Sequence, residues 1–238
     1  MSKIIAFCCS FLFFSNIAFS QNFEVGLTLG AAAYNGDIDI VAKNLGSAIN
    51  PAIGILGKYR LSNRFLLRAQ LLTTKLSASE KNHPSAWRQE RGLSFQTKVT
   101  EFSGLLEWEV WNIKRFTGFT FGGLGITYFN PTPDFNLPNK HIDDVNPDSE
   151  AKYSKFTLSI PIGAGLKYSL PKDFYLTAEA GYRYVFTDYL DGISKIANPK
   201  RKDAYYYAGL TLTKAFGGGK SGSNRLYRQG EANCPKFN

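Results

Sequence analysis

The 238-residue chain carries 28 Lys and Arg against 19 Asp and Glu, a formal net charge of +9, and 15% of its residues are aromatic. This composition is too aromatic and too weakly charged for an intrinsically disordered chain. The basic residues form no consecutive block of the kind that binds nucleic acid. The chain is long enough for one large domain or two small ones.

The first residues have the pattern of a secretory signal peptide. Lys3 supplies a positive charge, residues 4–14 form an apolar run, and Ala18 and Ser20 are the small residues that precede a cleavage site. We therefore expect residues 1–20 to be removed. No later apolar run is long enough for a membrane-spanning helix.

Cysteine usage points the same way. Cys8 and Cys9 lie inside the predicted signal peptide, so the mature chain would keep Cys234 alone. A single cysteine in a secreted protein builds no internal disulfide and indicates a free thiol or an intermolecular bond.

Eight segments of alternating polar and apolar residues follow, separated by turn and loop signals. They span residues 22–34, 49–60, 65–77, 96–111, 116–130, 154–169, 174–187 and 203–216. Most exceed the usual strand of a soluble sheet and reach the about 9–11 residues that a tilted strand needs to cross a bilayer. The pattern predicts an all-β fold, an eight-stranded antiparallel transmembrane barrel of the outer-membrane type, over residues 21–216.

The seventh segment shows the alternation most clearly. Phe174 and Tyr184 fall on one face, whereas Glu179 and Arg183 fall on the other. The apolar faces end in Tyr and Phe, which are typical of the aromatic girdles at the headgroup layers of a membrane barrel.

The opposite faces carry five acids, four bases and an amide in near balance. These residues are Glu24, Glu101, Glu107, Glu109, Glu179, Lys58, Arg68, Lys167, Arg183 and Gln70. A lipocalin-like ligand cavity would be mainly apolar, whereas a narrow eight-stranded barrel can fill its interior with paired side chains and has no aqueous pore. The pattern favours a lumen charge network over a two-layer sandwich whose charges face solvent.

The lengths of the connections alternate as well. Short turns lie near 61–64, 112–115 and 170–172, and long loops near 35–48, 78–95, 131–153 and 188–202. Bacterial barrels have short periplasmic turns and long outward loops. The order therefore predicts an outer-membrane barrel with both termini in the periplasm and a periplasmic tail over residues 217–238.

The predicted periplasmic end is basic. The tail contains four basic residues and one acid, and the short turns contribute Arg60, Arg64, Lys114, Arg115 and Lys172. This charge suits either anionic headgroups of the inner leaflet or an acidic periplasmic protein, and charge alone leaves both open.

No catalytic or metal-binding constellation is apparent in the sequence. His83 and His141 fall in different outward loops, and neither lies on a strand beside a Ser and an acid. The acids Asp143, Asp144 and Asp148 match no established calcium loop. We expect no enzymatic activity, cofactor, metal, nucleic acid or small-molecule substrate.

Two motifs should meet at the outward rim, because the first and eighth strands of a closed barrel are neighbours. Tyr34-Asn35-Gly36-Asp37-Ile38 leaves the first strand, and Thr187-Asp188-Tyr189-Leu190-Asp191-Gly192-Ile193-Ser194 leaves the seventh. With the ending Cys234-Pro235-Lys236-Phe237, these motifs resemble the PorG family. Its members are small outer-membrane β-barrel components of the type IX secretion system of Bacteroidota, which exports cargo and supports gliding. Gly192 stands where the family pattern has a second Asp.

The resemblance implies a non-enzymatic component of that machinery that contacts outer-membrane lipids and anchors or stabilises a periplasmic ring through its turns and tail. The ring is made of a lipoprotein and its partner, and Cys234 would form an intermolecular disulfide with a ring subunit. Two alternatives stay open: a barrel whose outward loops bind a surface partner, as an adhesin does, and a lipid-modifying barrel enzyme.

Overall fold

Eight antiparallel strands close into one barrel in the structure, which is a computed structural model. It describes residues 23–35, 49–79, 86, 94–134, 153–192 and 202–216. The strands are β1 (Phe23–Asn35), β2 (Ile49–Arg60), β3 (Phe65–Ser79), β4 (Ser94–Ile113), β5 (Phe116–Asp134), β6 (Phe156–Ser169), β7 (Phe174–Val185) and β8 (Ala204–Phe216). Each strand pairs with its neighbours in sequence, and β8 pairs with β1. The predicted fold class is confirmed.

Five strands, β3 to β7, differ from the prediction by two residues or more at one end or both. β4 and β5 extend to 20 and 19 residues, respectively, because they continue to pair with each other beyond residue 130. β7 ends at Val185, two residues earlier than predicted. Among the described residues, no helix is long and apolar enough to cross a membrane.

The three short connections define one end of the barrel, which we call the turn end. The opposite rim, where β1 ends and β8 begins, is the loop end. Two turns require left-handed backbone at residues other than glycine: φ is 55° at Lys114, 61° at Lys172 and 61° at Asp173. Such values are uncommon outside glycine and here reverse the chain within a few residues.

The outer wall of the barrel is apolar. Leu27, Leu124 and Phe156 point away from the barrel and are 65%, 68% and 62% exposed. Aromatic pairs flank this band, with Phe116 and Tyr168 in contact at the turn end (centroids 4.8 Å apart). At the loop end, Tyr128 and Phe156 are 5.1 Å apart and Tyr182 and Tyr206 are 5.2 Å apart. An apolar belt between two aromatic girdles is the outer surface of a barrel that contacts lipid.

Glycines on the inner wall make room for large side chains. Gly30 and Gly209 are cross-strand partners on β1 and β8, and the ring of Tyr207 lies over both. Tyr207 is buried, and its hydroxyl contacts Thr28 Oγ1 at 2.6 Å. The missing side chains therefore let an aromatic ring pack flat against the wall.

We expect Gly209→Val to destabilise the barrel by about 1–3 kcal/mol or more, because overpacking a filled interior displaces its neighbours. A Cβ at Gly209 would collide with the Tyr207 ring and lie 3.0 Å from the Leu29 carbonyl oxygen. Gly104→Val is the matched control, because nothing lies within 4 Å of its Cβ position on the outer wall. Urea unfolding in detergent measures both variants, and equal losses would contradict this packing.

Candidate functional site

Three regions of the barrel carry the polar and charged residues singled out by the sequence: the interior, the loop end and the turn end. In the interior, the layer nearest the turn end is built on Glu109. Its carboxylate accepts two hydrogen bonds from Arg60 (3.0 and 3.1 Å) and one from Lys167 Nζ (2.6 Å). Arg60 was assigned to the basic turns by sequence, but here it is the last residue of β2 and pairs with a lumen carboxylate.

The next layer is built on Glu107 and is fully buried. Lys58 Nζ lies 2.9 Å from one Glu107 oxygen and 3.2 Å from the other, and Arg68 Nη1 lies 3.6 Å from Glu107. Arg68 also donates to Glu179 Oε2 at 2.6 Å. Its guanidinium carbon lies 4.4 Å from the centroid of the Phe121 ring, a cation–π contact. Each ion in this layer thus faces an opposite charge.

The third layer is built on Glu101, nearer the loop end. Its carboxylate accepts from Arg183 Nε (3.2 Å), Ser159 Oγ (3.0 Å) and the hydroxyl of Tyr205 (3.1 Å). Arg183 also packs over the Tyr207 ring at 4.5 Å. Ser159 and Tyr205 are members of this network that were not predicted from the sequence, although both lie on the inward parity of their strands.

All of the proposed lumen residues have side chains inside the barrel. Glu24, in a further contact, accepts a 3.4 Å hydrogen bond from Thr213 Oγ1. Gln70 faces Ser103 across β3 and β4, and within the described barrel neither side chain bonds to another protein group. Buried polar atoms of this kind require water as a partner. The interior is therefore a stack of ion pairs that fills the barrel.

An apolar cluster closes the loop end of the barrel above these layers. Its buried members are Ala32, Tyr34, Leu76, Ala78, Phe95, Val99, Phe129, Val185, Leu190 and Tyr205. Leu190 comes from the segment after β7 and is 0% exposed. Its carbonyl accepts from Thr97 Oγ1 at 2.5 Å, and its amide donates to Asp203 Oδ2 at 2.9 Å. The segment 187–192 therefore folds inward over the mouth of the barrel, and we call it the cap segment.

Tyr34 joins the two loop motifs. Its hydroxyl lies 2.9 Å from Asp191 Oδ2 and 2.6 Å from Asp203 Oδ1, and its ring packs edge-on against Phe95. The structure thus brings Tyr34 of the first motif against Asp191 of the second. Asp203 was missed by the sequence analysis. Its position next to β8, the neighbour of β1 in a closed barrel, is the signal that could have identified it.

The rest of the cap segment is held by aromatic stacking. Tyr189 stacks on Tyr153 with centroids 4.7 Å apart, and Tyr153 stacks on Phe129 at 6.2 Å. Burial raises the pKa of the Tyr153 hydroxyl, and the nearby Asp191 carboxylate adds to the shift. Asp188 is buried as well.

Gly192 ends the cap segment with φ of 82°, a conformation that favours glycine. The backbone at this position therefore suits glycine better than a residue with a side chain. Gly36, Asp37, Cys234 and the two histidines lie outside the described residues. Within the described ranges, no group of three or more His, Cys, Asp or Glu side chains is arranged to hold a metal ion.

The turn end presents exposed bases. Arg64, Lys114, Arg115 and Lys172 project from the three turns, and Asp173 is the exposed acid beside them. Two of these bases, Lys114 and Lys172, have a left-handed backbone conformation, which glycine adopts at a lower conformational free energy. The turn end is therefore a basic surface, and two of its lysines hold unfavourable backbone angles.

The apolar outer wall, the ion pairs that fill the interior and the single closed sheet define the class: a small eight-stranded barrel of the outer-membrane type. The chain belongs to the DUF6089 family, described as a domain of unknown function, whose model matches residues 2–221. No curated protein sequence matches the chain.

Among solved structures, Neisserial surface protein A is similar, with a TM-score of 0.54 and 10% identity over 82% of this chain and 98% of that one. A major outer membrane protein from Thermus thermophilus matches with a TM-score of 0.47 and 11% identity, covering 81% of this chain and 100% of that one. OprG from Pseudomonas aeruginosa matches with a TM-score of 0.45 and 11% identity, covering 84% and 98%. At these identities the likeness to Neisserial surface protein A concerns the fold alone.

Proposed function

We propose that the protein is a non-enzymatic outer-membrane component of the type IX protein secretion and gliding machinery. In this proposal it anchors or stabilises a periplasmic ring complex, made of a lipoprotein and its partner, through its turns and tail. The main observation behind the anchoring role is the basic turn end. The choice of secretion system follows from the resemblance of the loop motifs to the PorG family. The fold itself is equally compatible with a loop-binding barrel or an enzyme.

The apolar outer wall supports the membrane location. A continuous belt of exposed Leu, Ile and Phe side chains is costly in water and stable in hydrocarbon. With the turns in the periplasm, the predicted signal peptide, the short connections and residues 217–238 all fit an outer-membrane barrel. The long loops then face outward.

A structural role suits the interior better than catalysis. Glu107 and Glu109 share the inner face of β4 with Glu101, and each of the two is held by two bases inside the barrel. A general acid or base must reach the proton that it transfers. Because these carboxylates are buried and paired with bases, they fill the interior with neutralised charge, and we expect recognition at the two ends of the barrel.

The turn end offers a partner several exposed cations on the three short turns at one end of the barrel. An acidic surface on a ring subunit would complement it and would be steered towards it by charge. In this proposal the tail would add its four bases to the same end, and Cys234 would bond covalently to the ring. Rim charges of this kind act mainly on association rate and partner choice.

We expect the triple variant Arg64→Gln, Arg115→Gln and Lys172→Gln, which we call the turn-end triple, to weaken capture of the ring subunits about tenfold, because about 1.4 kcal/mol of charge attraction corresponds to that factor. Deleting residues 217–238 in the same background should abolish capture and block secretion. The measurement is a mild-detergent pull-down from cells with quantification of the co-purified chains.

The matched control neutralises three bases at the opposite end: Lys75→Gln, Lys98→Gln and Lys155→Gln, the loop-end triple. It should capture the ring as well as the natural sequence does. Non-reducing gels of the same preparations test the disulfide, because Cys234→Ser should remove any high-mass band. Normal secretion by the truncated turn-end triple would refute the anchoring role.

A further inference from the structure

The outer wall carries a row of bases at the loop end that neither the interior network nor the turn end accounts for. Lys75 on β3 and Lys98 on β4 are cross-strand partners, and Lys98 is also the partner of Asn130 on β5. Lys155, just before β6, donates from Nζ to Asn130 Oδ1 at 2.8 Å. Lys75, Lys98 and Asn130 lie on the outward parity of their strands, and all four side chains are exposed. We call these residues the basic row.

Two lysines directly opposite each other are an unfavourable arrangement. Cross-strand partners have Cβ atoms about 4.5–5.5 Å apart, and like charges at that separation destabilise a sheet. Within the described part of the chain, neither the Lys75 nor the Lys98 ammonium has an ion-pair or hydrogen-bond partner. An anion placed between them would turn this repulsion into two attractions.

The position of the row on the barrel wall identifies the kind of anion. One step towards the middle, Thr73 and Thr100 are hydrogen-bonded to each other at 2.6 Å. One step further the wall is apolar, with Leu71 and Phe102 exposed. The lysines therefore lie where a lipid headgroup meets its acyl chains.

Long basic side chains reach such headgroups readily, and ammonium groups bind phosphate strongly. Lipid recognition by clustered bases next to a membrane follows the same physics. A ligand at this site would rest its chains on the apolar belt near Tyr128 and Phe156, which form an aromatic pair at the same rim.

We propose that Lys75, Lys98, Asn130 and Lys155 bind the phosphate of an anionic lipid in the membrane leaflet at the loop end. The site takes a phosphorylated lipid, with Lys75 and Lys98 on either side of the phosphate and the Lys155–Asn130 pair extending the donor set. The proposal rests on the membrane location proposed above but not on the secretion ring.

The test uses the purified protein in a neutral detergent, titrated with bisphosphorylated lipid A and with the same lipid after removal of its phosphates. Native mass spectrometry counts bound lipid. The natural sequence should bind the phosphorylated lipid at least about tenfold more tightly than the dephosphorylated one. The loop-end triple should lose this preference, whereas the turn-end triple, which removes the same charge at the other end, should keep it.

In a second measurement, one substitution should shift the unfolding temperature in opposite directions without and with the phosphorylated lipid. Lys98→Gln should raise the unfolding temperature in neutral detergent alone, because it removes the repulsion from Lys75. With the phosphorylated lipid present, it should lower the unfolding temperature relative to the natural sequence, because the ligand stabilises what it binds.

Three results would overturn the site. Equal loss of lipid binding in both triples would mean general charge attraction, and unchanged binding by the loop-end triple would mean that the basic row is not used. Displacement of the lipid by an equimolar amount of inorganic phosphate would mean that a free anion, and not a lipid, is the ligand. None of these results depends on ring capture, which the turn-end triple tests separately.

Discussion

Glu107→Leu should destabilise the barrel by about 3–5 kcal/mol, the usual cost of removing one partner from a buried ion pair. Lys58 and Arg68 both contact Glu107, and all three side chains are 0–1% exposed. Without the carboxylate, the Lys58 ammonium loses the group that accepts its hydrogen bonds at 2.9 and 3.2 Å. Urea unfolding in lipid vesicles, followed by fluorescence of the outer-wall tryptophans, measures the loss.

A second substitution separates lost pairing from lost packing. Lys58→Met in the Glu107→Leu background removes the orphaned ammonium and should recover at least half of the stability, since apolar replacements of a whole buried pair are often nearly neutral. Arg68 keeps Glu179 in both variants. If Glu107→Leu unfolded at the same urea concentration as the natural sequence, the ion pairs would contribute nothing net to the barrel.

Leu190→Ala should loosen the cap segment by about 2–5 kcal/mol while the barrel stays folded, because it opens a cavity in a packed apolar cluster. Leu190 is the one buried Leu that the cap segment adds to that cluster. The Leu190 amide donates a hydrogen bond to Asp203, and its carbonyl accepts one from Thr97. Exchange of this amide therefore reports directly on opening of the cap segment. Hydrogen exchange at the Leu190 amide should accelerate by about 30-fold or more, since about 1.4 kcal/mol corresponds to a factor of ten.

Leu210→Ala is the matched control, since Leu210 lies on the outer wall of β8 and is 57% exposed. It removes the same atoms without opening an internal cavity and should leave the Leu190 amide protected. Tyr34→Phe keeps the ring against Phe95 and removes only the hydroxyl between Asp191 and Asp203, so it should accelerate exchange by a smaller factor. Unchanged protection in Leu190→Ala would show that the cap segment is held by something other than this side chain.

The end of β5 shows where local sequence signals fail. Pro131 and Pro133 predict that the strand stops near residue 130, because proline cannot donate to a sheet. In the structure, β5 continues to Asp134 along β4, while its pairing with β6 ends at Tyr128. Past that point, within the described ranges, no strand pairs with the β6 side of β5, so proline costs no ladder hydrogen bond there.

The sequence by itself determined the number of strands, the inward and outward faces, and which end has short turns. These properties depend on the alternation of residues within a strand and on the number of residues that connect one strand to the next, and both can be read locally from the sequence. The lumen residues could therefore be named from parity alone, as could the expectation that Tyr34 and the motif after β7 would lie near each other.

Only the tertiary structure decided which of these residues touch. Glu109 pairs with Arg60, 49 positions away, and Tyr34 contacts Asp203, 169 positions away. The cross-strand pair of Lys75 and Lys98 likewise depends on the register between β3 and β4. Register is set by how the strands stagger when the sheet closes on itself, and a shift of two residues preserves every face while changing every partner.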